Sequence, residues 1–480
     1  MNRKMIMYIL GKMLGAEAVL LLLPAFVGAL YKESSAVTFL ITAAILVALY
    51  FIFGRKKPEV TTIYAKEGFV VVAAAWILWS MFGALPFFLS GEIPSYLDAF
   101  FETVSGFTTT GSSILTDIES LSQCMLFWRS FTHWVGGMGV LVFVMVLTTL
   151  DKNNSMHLMR AEVPGPEKDK LLPKTRSTAQ LLYGMYFVLT MVEVILLLLG
   201  GMNLFDSLIH AFGTAGTGGF SNYAASVGHF DSAYIDAVIT IFMILFGINF
   251  NLYFFLLLGE WKSFYKNEEL WAYLGIIGSA ILVITCNIAQ IYESPLKAFR
   301  YAAFQVGSII TTTGYATADF NLWPEFSKCI LLSIMIIGAC ASSTGGGIKV
   351  SRMLIVLKSI RKEVKRMLQP KSVNVVRING RKLGEETVHN VYIYLMAYVV
   401  LMISSVLIVS IDNFDFATTF SSVIATLNNI GPGVGAVGPT GSFSDFSPLS
   451  KIVFCLDMLA GRLEIFPFLM LFSIADRRKF

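Results

Sequence analysis

The chain has 480 residues, 55% of them hydrophobic and 14% charged, with a mean hydropathy of +0.69 and a formal net charge of +4. That leaves too little polar surface to wrap a soluble globule, and the apolar runs of about 20 residues suit bilayer-crossing helices rather than the short alternating strands of an outer-membrane barrel. The five cysteines (Cys124, Cys286, Cys329, Cys340, Cys455) form no CxxC pair and the histidines no ligand spacing, so disulfides and a metal centre are not expected.

The first apolar stretch, Met5 to Leu30, follows Arg3 and Lys4 as a signal peptide would. It is too long for one and lacks a small-x-small cleavage site before Tyr31 to Ser35, so it reads as a retained transmembrane helix. Further spans are expected at 36–53, 68–90, 126–150, 180–201, 234–258, 270–292, 326–348, 390–411 and 449–474. With the N terminus in the cytoplasm, the inside segments are 1–4, 54–67, 151–179, 259–269, 349–389 and 475–480, which carry 28 of the 36 lysines and arginines. Lys32, Arg129, Lys297, Arg300, Lys328 and Lys451 fall on or near the outer side, and the bias puts both termini inside.

This topology requires four further stretches, near 95–111, 203–219, 296–314 and 414–431, to enter from outside and return without crossing. Non-helical backbone at that depth is tolerated only inside protein or along a water-filled path. Aligned on one glycine they read DAFFETVSGFTTTGS, DSLIHAFGTAGTGGF, YAAFQVGSIITTTGY and TTFSSVIATLNNIGP, with Gly111, Gly219, Gly314 and Gly431 in register. Six residues earlier stands Ser105, Gly213, Ser308 or Ala425, and two residues earlier Thr109, Thr217, Thr312 or Asn429. Asp98 and Asp206 are placed to cap or complement the first two short helices. The expected fold is thus an all-α integral membrane protein. Four pseudo-symmetric helix/pore-loop/helix repeats surround a central pore and two additional N-terminal helices precede them. The expected units are 1–60 for the two-helix extension and 61–160, 161–262, 263–375 and 376–480 for the repeats, the third holding a gating loop.

A short helix entering from outside aims its C terminus, about half a negative charge, at the membrane centre, where four such ends favour a cation. The return segment must then replace the ion's hydration shell. Glycine can turn its carbonyl toward an axis, and threonine or asparagine side chains can anchor the loop walls. Rings of backbone carbonyls are the device of potassium filters of the TVGYG type, and Thr312-Thr313-Gly314-Tyr315 and Asn429-Ile430-Gly431-Pro432-Gly433 are variants of that string. Asp, Glu, Lys and Arg are absent from the return segments, so the ligands would be backbone. The competing reading, small residues easing close helix packing, loses force when four such stretches occupy matched positions.

As an ordered set, SGFTTTGSS, GGFS, TTTGYAT and NNIGPG, with the two leading helices, resemble the Trk/Ktr/HKT superfamily of potassium transporters, and its TrkH-like branch in particular. The resemblance covers essentially the whole chain. It implies a selectivity filter at Thr109, Thr110, Gly111, Thr217, Gly218, Gly219, Thr312, Thr313, Gly314, Asn429, Ile430 and Gly431, with potassium held through those residues only. One glycine per loop implies a short filter that passes potassium, rubidium and caesium and excludes sodium weakly.

In GACASSTGGGIK, Gly338 to Lys349, three glycines and two serines disfavour helix by about 1 kcal/mol per glycine, so a break at mid-membrane is expected. The resemblance makes Ala341, Ser342, Ser343, Thr344, Gly345, Gly346 and Gly347 an intramembrane gate, with Arg462 beside it as barrier and hydrogen-bond donor. Glu464 is the alternative, local partner of Arg462, although positions two apart do not share a helix face. Glu102 and Glu193 are lesser candidates, the first for its nearness to the cation path. STGGGIK lacks the GK[ST] of a phosphate-binding loop and follows a membrane helix, so no nucleotide or other cofactor is expected in this chain.

The basic segment from Lys349 to Arg381 reads as an interfacial helix on anionic membrane lipid. By resemblance it is also the docking surface of a TrkA-like cytosolic ring through which ATP, ADP or NAD acts. The resemblance further implies a homodimer in the bacterial cytoplasmic (inner) membrane. No nucleic-acid partner or enzymatic activity is expected. The rival function, a secondary transporter of a small solute coupled to sodium or protons, would call for inverted repeats and carboxylates in the broken segments. Whether potassium passage is downhill or symport stays open at the level of sequence.

Overall fold

Apolar length makes the helices of this protein, and polar caps and glycines decide where they begin and end. The computed structural model describes residues 2–60, 64–139, 175–371 and 374–473. Among these, six helices are long and apolar enough to cross a membrane: Arg3–Tyr31, Ala36–Gly54, Glu67–Ser90, Gln180–Leu199, Glu268–Ile288 and Glu385–Asp412. The expected span at 126–150 runs out of the described residues after 139, as do most of 151–179 and all of 475–480.

Four shorter helices, Tyr96–Phe107, Leu204–Gly216, Pro295–Ile310 and Phe416–Leu427, follow the spans that open the repeats and are called half-helices 1 to 4. Ser95, Asn203, Ser294 and Asp415 cap their N termini, accepting from the N–H groups of Asp98, Asp206, Leu296 and Thr418. Asp98 and Asp206 therefore sit in the first turn, complementing the helix dipole rather than capping it. Asp98 also holds Lys451 of the fourth repeat at 2.7 Å.

After each return segment comes an outgoing helix: Gln123–Gly137, Ala233–Phe246, Glu325–Ile337 and Pro448–Arg462. The second to fourth are shorter than the expected spans. The stretch at 234–258 breaks at Gly247 and turns by 89° into Phe250–Leu257. The third helix ends at Ile337, as its glycines require, and the fourth breaks after Arg462, where Glu464 and Ile465 adopt φ of +58° and +62°. Hydropathy alone does not reveal such breaks, because a lone glycine barely dents the average of its window.

Two of the glycines at these ends have the same task. A Cβ at Gly136 would stand 1.9 Å from the Phe107 carbonyl oxygen, and one at Gly461 2.1 Å from that of Leu427. Outgoing helices 1 and 4 thus lie directly on the last turns of half-helices 1 and 4. The two leading helices pack on each other through Gly11 against Gly54 and join the first repeat through the Trp79 indole N–H, which donates to the Met13 carbonyl at 3.1 Å. The usual burial pattern is reversed: Leu296, Val400 and Leu407 are exposed, whereas Thr110, Thr313 and Asn428 are wholly buried.

Gly136→Ala should therefore cost about 1–3 kcal/mol, the range for overpacking a fixed contact. The expected readout is a lower thermal midpoint and a smaller monodisperse fraction of detergent-purified protein, with no such change for Gly184→Ala, whose surroundings are open.

Candidate functional site

The four half-helices end in one and the same turn. Thr109, Thr217, Thr312 and Asn429 hold φ of +55°, +56°, +61° and +56°. The next N–H in each loop, from Thr110, Gly218, Thr313 and Ile430, donates to the carbonyl of Ser105, Gly213, Ser308 and Ala425 at 2.8–2.9 Å. The left-handed residue itself donates to Gly106, Thr214, Ile309 or Thr426. This pair of bonds is a Schellman motif, usually closed by glycine. Here three threonines and an asparagine fill the left-handed position, a strain of about 1–2 kcal/mol for each threonine and less for Asn429. Strain of this kind persists where the surroundings over-determine it, as at functional sites.

The aligned glycines follow, again with positive φ: Gly111 +82°, Gly219 +75°, Gly314 +85° and Gly431 +100°. What faces them defines a ring. A Cβ on Gly111 would lie 2.0 Å from the Gly218 oxygen, on Gly219 2.1 Å from that of Thr313, on Gly314 2.0 Å from that of Ile430, and on Gly431 2.9 Å from that of Thr110. Each glycine thus abuts the carbonyl just before the next loop's glycine, and the fourth loop closes on the first. Ser112 Oγ donates to the Gly431 carbonyl at 3.1 Å and Asn429 Nδ2 to Thr110 Oγ1 at 2.9 Å, sealing that join. In loops 1 and 3 the flanking threonines pair their hydroxyls, Thr108 with Thr110 and Thr311 with Thr313, each at 2.8 Å. All twelve residues singled out in the four loops meet in this ring.

The broken segment lies against two of its quadrants. The Gly346 N–H donates to Thr312 Oγ1 at 2.6 Å and the Gly347 N–H to the Asn428 carbonyl at 3.1 Å, while a Cβ on Gly345 would reach the Thr311 carbonyl at 2.8 Å. On the side of repeat 2, the Phe250 N–H donates to the Ser342 carbonyl at 3.1 Å and Thr344 Oγ1 donates to the Phe246 carbonyl at 3.2 Å. Ser343 Oγ turns back onto the Cys340 carbonyl at 2.6 Å. Arg462 donates to Thr344, Gly136 and Gly137 carbonyls at 2.5–2.8 Å, tying the loop to repeats 4 and 1. Lys349 Nζ donates to the Gly345 carbonyl. Glu464 Oε2 is engaged by Arg352 at 2.6 Å.

Some charged residues have roles that sequence position did not reveal. Glu102 accepts from Arg129 Nε at 2.6 Å, from Ser113 Oγ and from the Ile114 N–H, so its charge is compensated and it braces the first return segment. Arg129, placed near the outer side by topology, is 3% exposed and also donates to the Ser221 carbonyl. His133, four residues on, donates from Nδ1 to the Gly106 carbonyl at 2.7 Å and accepts the Phe220 N–H on Nε2 at 3.3 Å, which fixes its neutral tautomer. The signal available was a charged residue and a histidine one turn apart within an apolar segment. Glu193 is fully buried in Thr175–Leu199, and the ring geometry does not call on it.

One chain that folds four half-helices into a closed ring of strained turns, with a loop against the ring, defines a fourfold pore-loop membrane protein. The family described as "Cation transport protein", TrkH, matches residues 33–270 and 276–479. The Trk system potassium uptake protein TrkH of Salmonella typhimurium is 38% identical over 465 residues, 94% of this chain and 95% of that one. TrkG of Escherichia coli K12 is 31% identical over 479 residues, 98% of each chain. The crystal structure of the potassium transporter TrkH from Vibrio parahaemolyticus superposes with a TM-score of 0.88 at 33% identity, covering 100% of both chains. The chain belongs to the TrkH family.

Substituting a ring glycine should separate strain from crowding. Gly314→Ala meets both a positive φ and the Ile430 carbonyl, whereas Gly91→Ala has φ +78° in open space. The first is expected to cut ion flux in liposomes about tenfold or more, the effect of displacing ligands by more than about 1.4 kcal/mol. The second should leave flux unchanged.

Proposed function

We propose that this protein takes up potassium across the bacterial cytoplasmic membrane through the ring of Thr109–Gly111, Thr217–Gly219, Thr312–Gly314 and Asn429–Gly431. The observation that carries the reading is the cyclic contact of each loop glycine with the carbonyl of the next loop. A closed ring of uncharged backbone, at the negative ends of four half-helices, suits a dehydrated monovalent cation, and the family relatives are named for potassium uptake. Rubidium and caesium should follow potassium, with sodium weakly excluded.

The segment Ala341–Gly347 acts as the gate, and Arg462 holds it shut by binding the Thr344 carbonyl. The basic helix Val350–Leu368, whose exposed face carries Leu357, Ile360, Val364 and Met367 beside Arg361, Lys362 and Lys365, rests on anionic lipid and presents the docking surface for a TrkA-like cytosolic ring. Nucleotide acts on that partner and not on this chain. Both termini lie in the cytoplasm, on the side of the basic segments, and two copies form a dimer with one pore each.

The test is rubidium uptake into potassium-loaded liposomes containing the purified protein, with Gly314→Asp and a variant lacking Ser343–Gly347. Uptake competed by potassium better than by sodium, and abolished by Gly314→Asp, supports the reading; silence even without the loop would sink it. Arg462→Ala should raise partner-free uptake about tenfold or more, since an interaction with a charged donor of about 1.5–3 kcal/mol is lost from the closed state.

A further inference from the structure

The loop's conformation needs an external anchor. Its composition of glycine, serine, alanine and threonine gives little intrinsic preference for one backbone path. Three backbone bonds close its neck: Ile348 N–H to Ile336, Lys349 N–H to Ile337 and Val350 N–H to Ala339, at 2.9–3.2 Å. Beside that neck stands Glu269, in the first turn of Glu268–Ile288 and 6% exposed. Its Oε1 accepts the Ala341 N–H at 2.7 Å and the Ser351 N–H at 3.1 Å. Ala341 begins the body of the loop, and Ser351 lies in the first turn of the basic helix.

We infer that Glu269 is the latch of this loop, a positioning residue whose one carboxylate oxygen ties the loop to the basic helix and so couples helix movement to opening. The inference rests on the gating role proposed above. Because the two N–H groups share an oxygen, a shift of the helix that withdraws Ser351 also disturbs the bond to Ala341. Removing the carboxylate leaves two buried donors unpaired, a penalty confined to the closed arrangement. A first-turn acidic residue could merely complement the helix dipole, but Glu268 already does so from the preceding position while pairing with Lys358. On the basic helix, next to Ser351, Arg352 is held by Glu464 and lies 4.0 Å over the Tyr394 ring, so the first turn of that helix is clamped from two sides.

The test uses the full chain in liposomes without a cytosolic partner. Glu269→Ala should raise basal rubidium uptake about tenfold, the open-to-closed shift that about 1.4 kcal/mol produces, and Glu269→Gln, which keeps an acceptor oxygen, should fall between Ala and wild type. A gain of flux is a readout that misfolding does not give. In a protein lacking Ser343–Gly347, Glu269→Ala should change nothing, because no loop remains to latch. If the loop-deleted parent conducts while Glu269→Ala is no leakier than wild type, or if Glu269→Ala silences the loop-deleted protein, the latch is overturned. If the loop-deleted parent is itself silent, the conduction reading fails and the latch falls with it.

Discussion

The structure depends on one constraint, a left-handed residue at the end of each half-helix with a glycine two positions later against its neighbour's carbonyl. The turn alone would be unfavourable, since threonine resists positive φ. It is held because the Schellman bonds fix its inner side and the next loop occupies its outer side, so no quadrant can relax without moving another. Backbone oxygens are thereby fixed by geometry shared among all four repeats. Arg129 with Glu102, beside the first return segment, and Lys451 with Asp98, at the far end of half-helix 1, are paired off, which keeps full charges from competing with those dipoles.

The same logic holds the broken segment against the ring. Arg462 and Lys349 donate to the Thr344 and Gly345 carbonyls, and Gly346 and Gly347 donate to Thr312 and Asn428. Two of the loop's carbonyls, those of Thr344 and Gly345, are therefore already occupied by fixed cationic donors.

Much of this was legible in the sequence because it is written in short-range spacing. The aligned glycines, the residue two before and the small residue six before each match a definite feature: the ring contact, the left-handed turn and the 6→1 acceptor. GACASSTGGGIK announced its own break through glycine content. Less legible was anything that depends on partners far away in the chain. Gly136 and Gly461 look like ordinary helix glycines until the half-helix carbonyls are placed beside them. Glu102 could be placed near the cation path, but nothing in its neighbourhood in sequence announces Arg129. Likewise Glu269 sits in an unremarkable NEEL, and only the fold carries Ala341 and Ser351 to it.

The join between the first and fourth loops spans 319 residues of chain, from Thr110 to Asn429. A ribosome making about 5–20 residues per second needs tens of seconds to travel that distance, while the earlier repeats are already being inserted. Over the 117 residues from Gly314 to Gly431, three quadrants of the ring wait without their fourth wall, and Thr110 lacks the Asn429 partner that closes the join. A chain abandoned before the last repeat cannot complete the circle. An unfinished copy therefore lacks the closed ring and the contacts that fix its carbonyls.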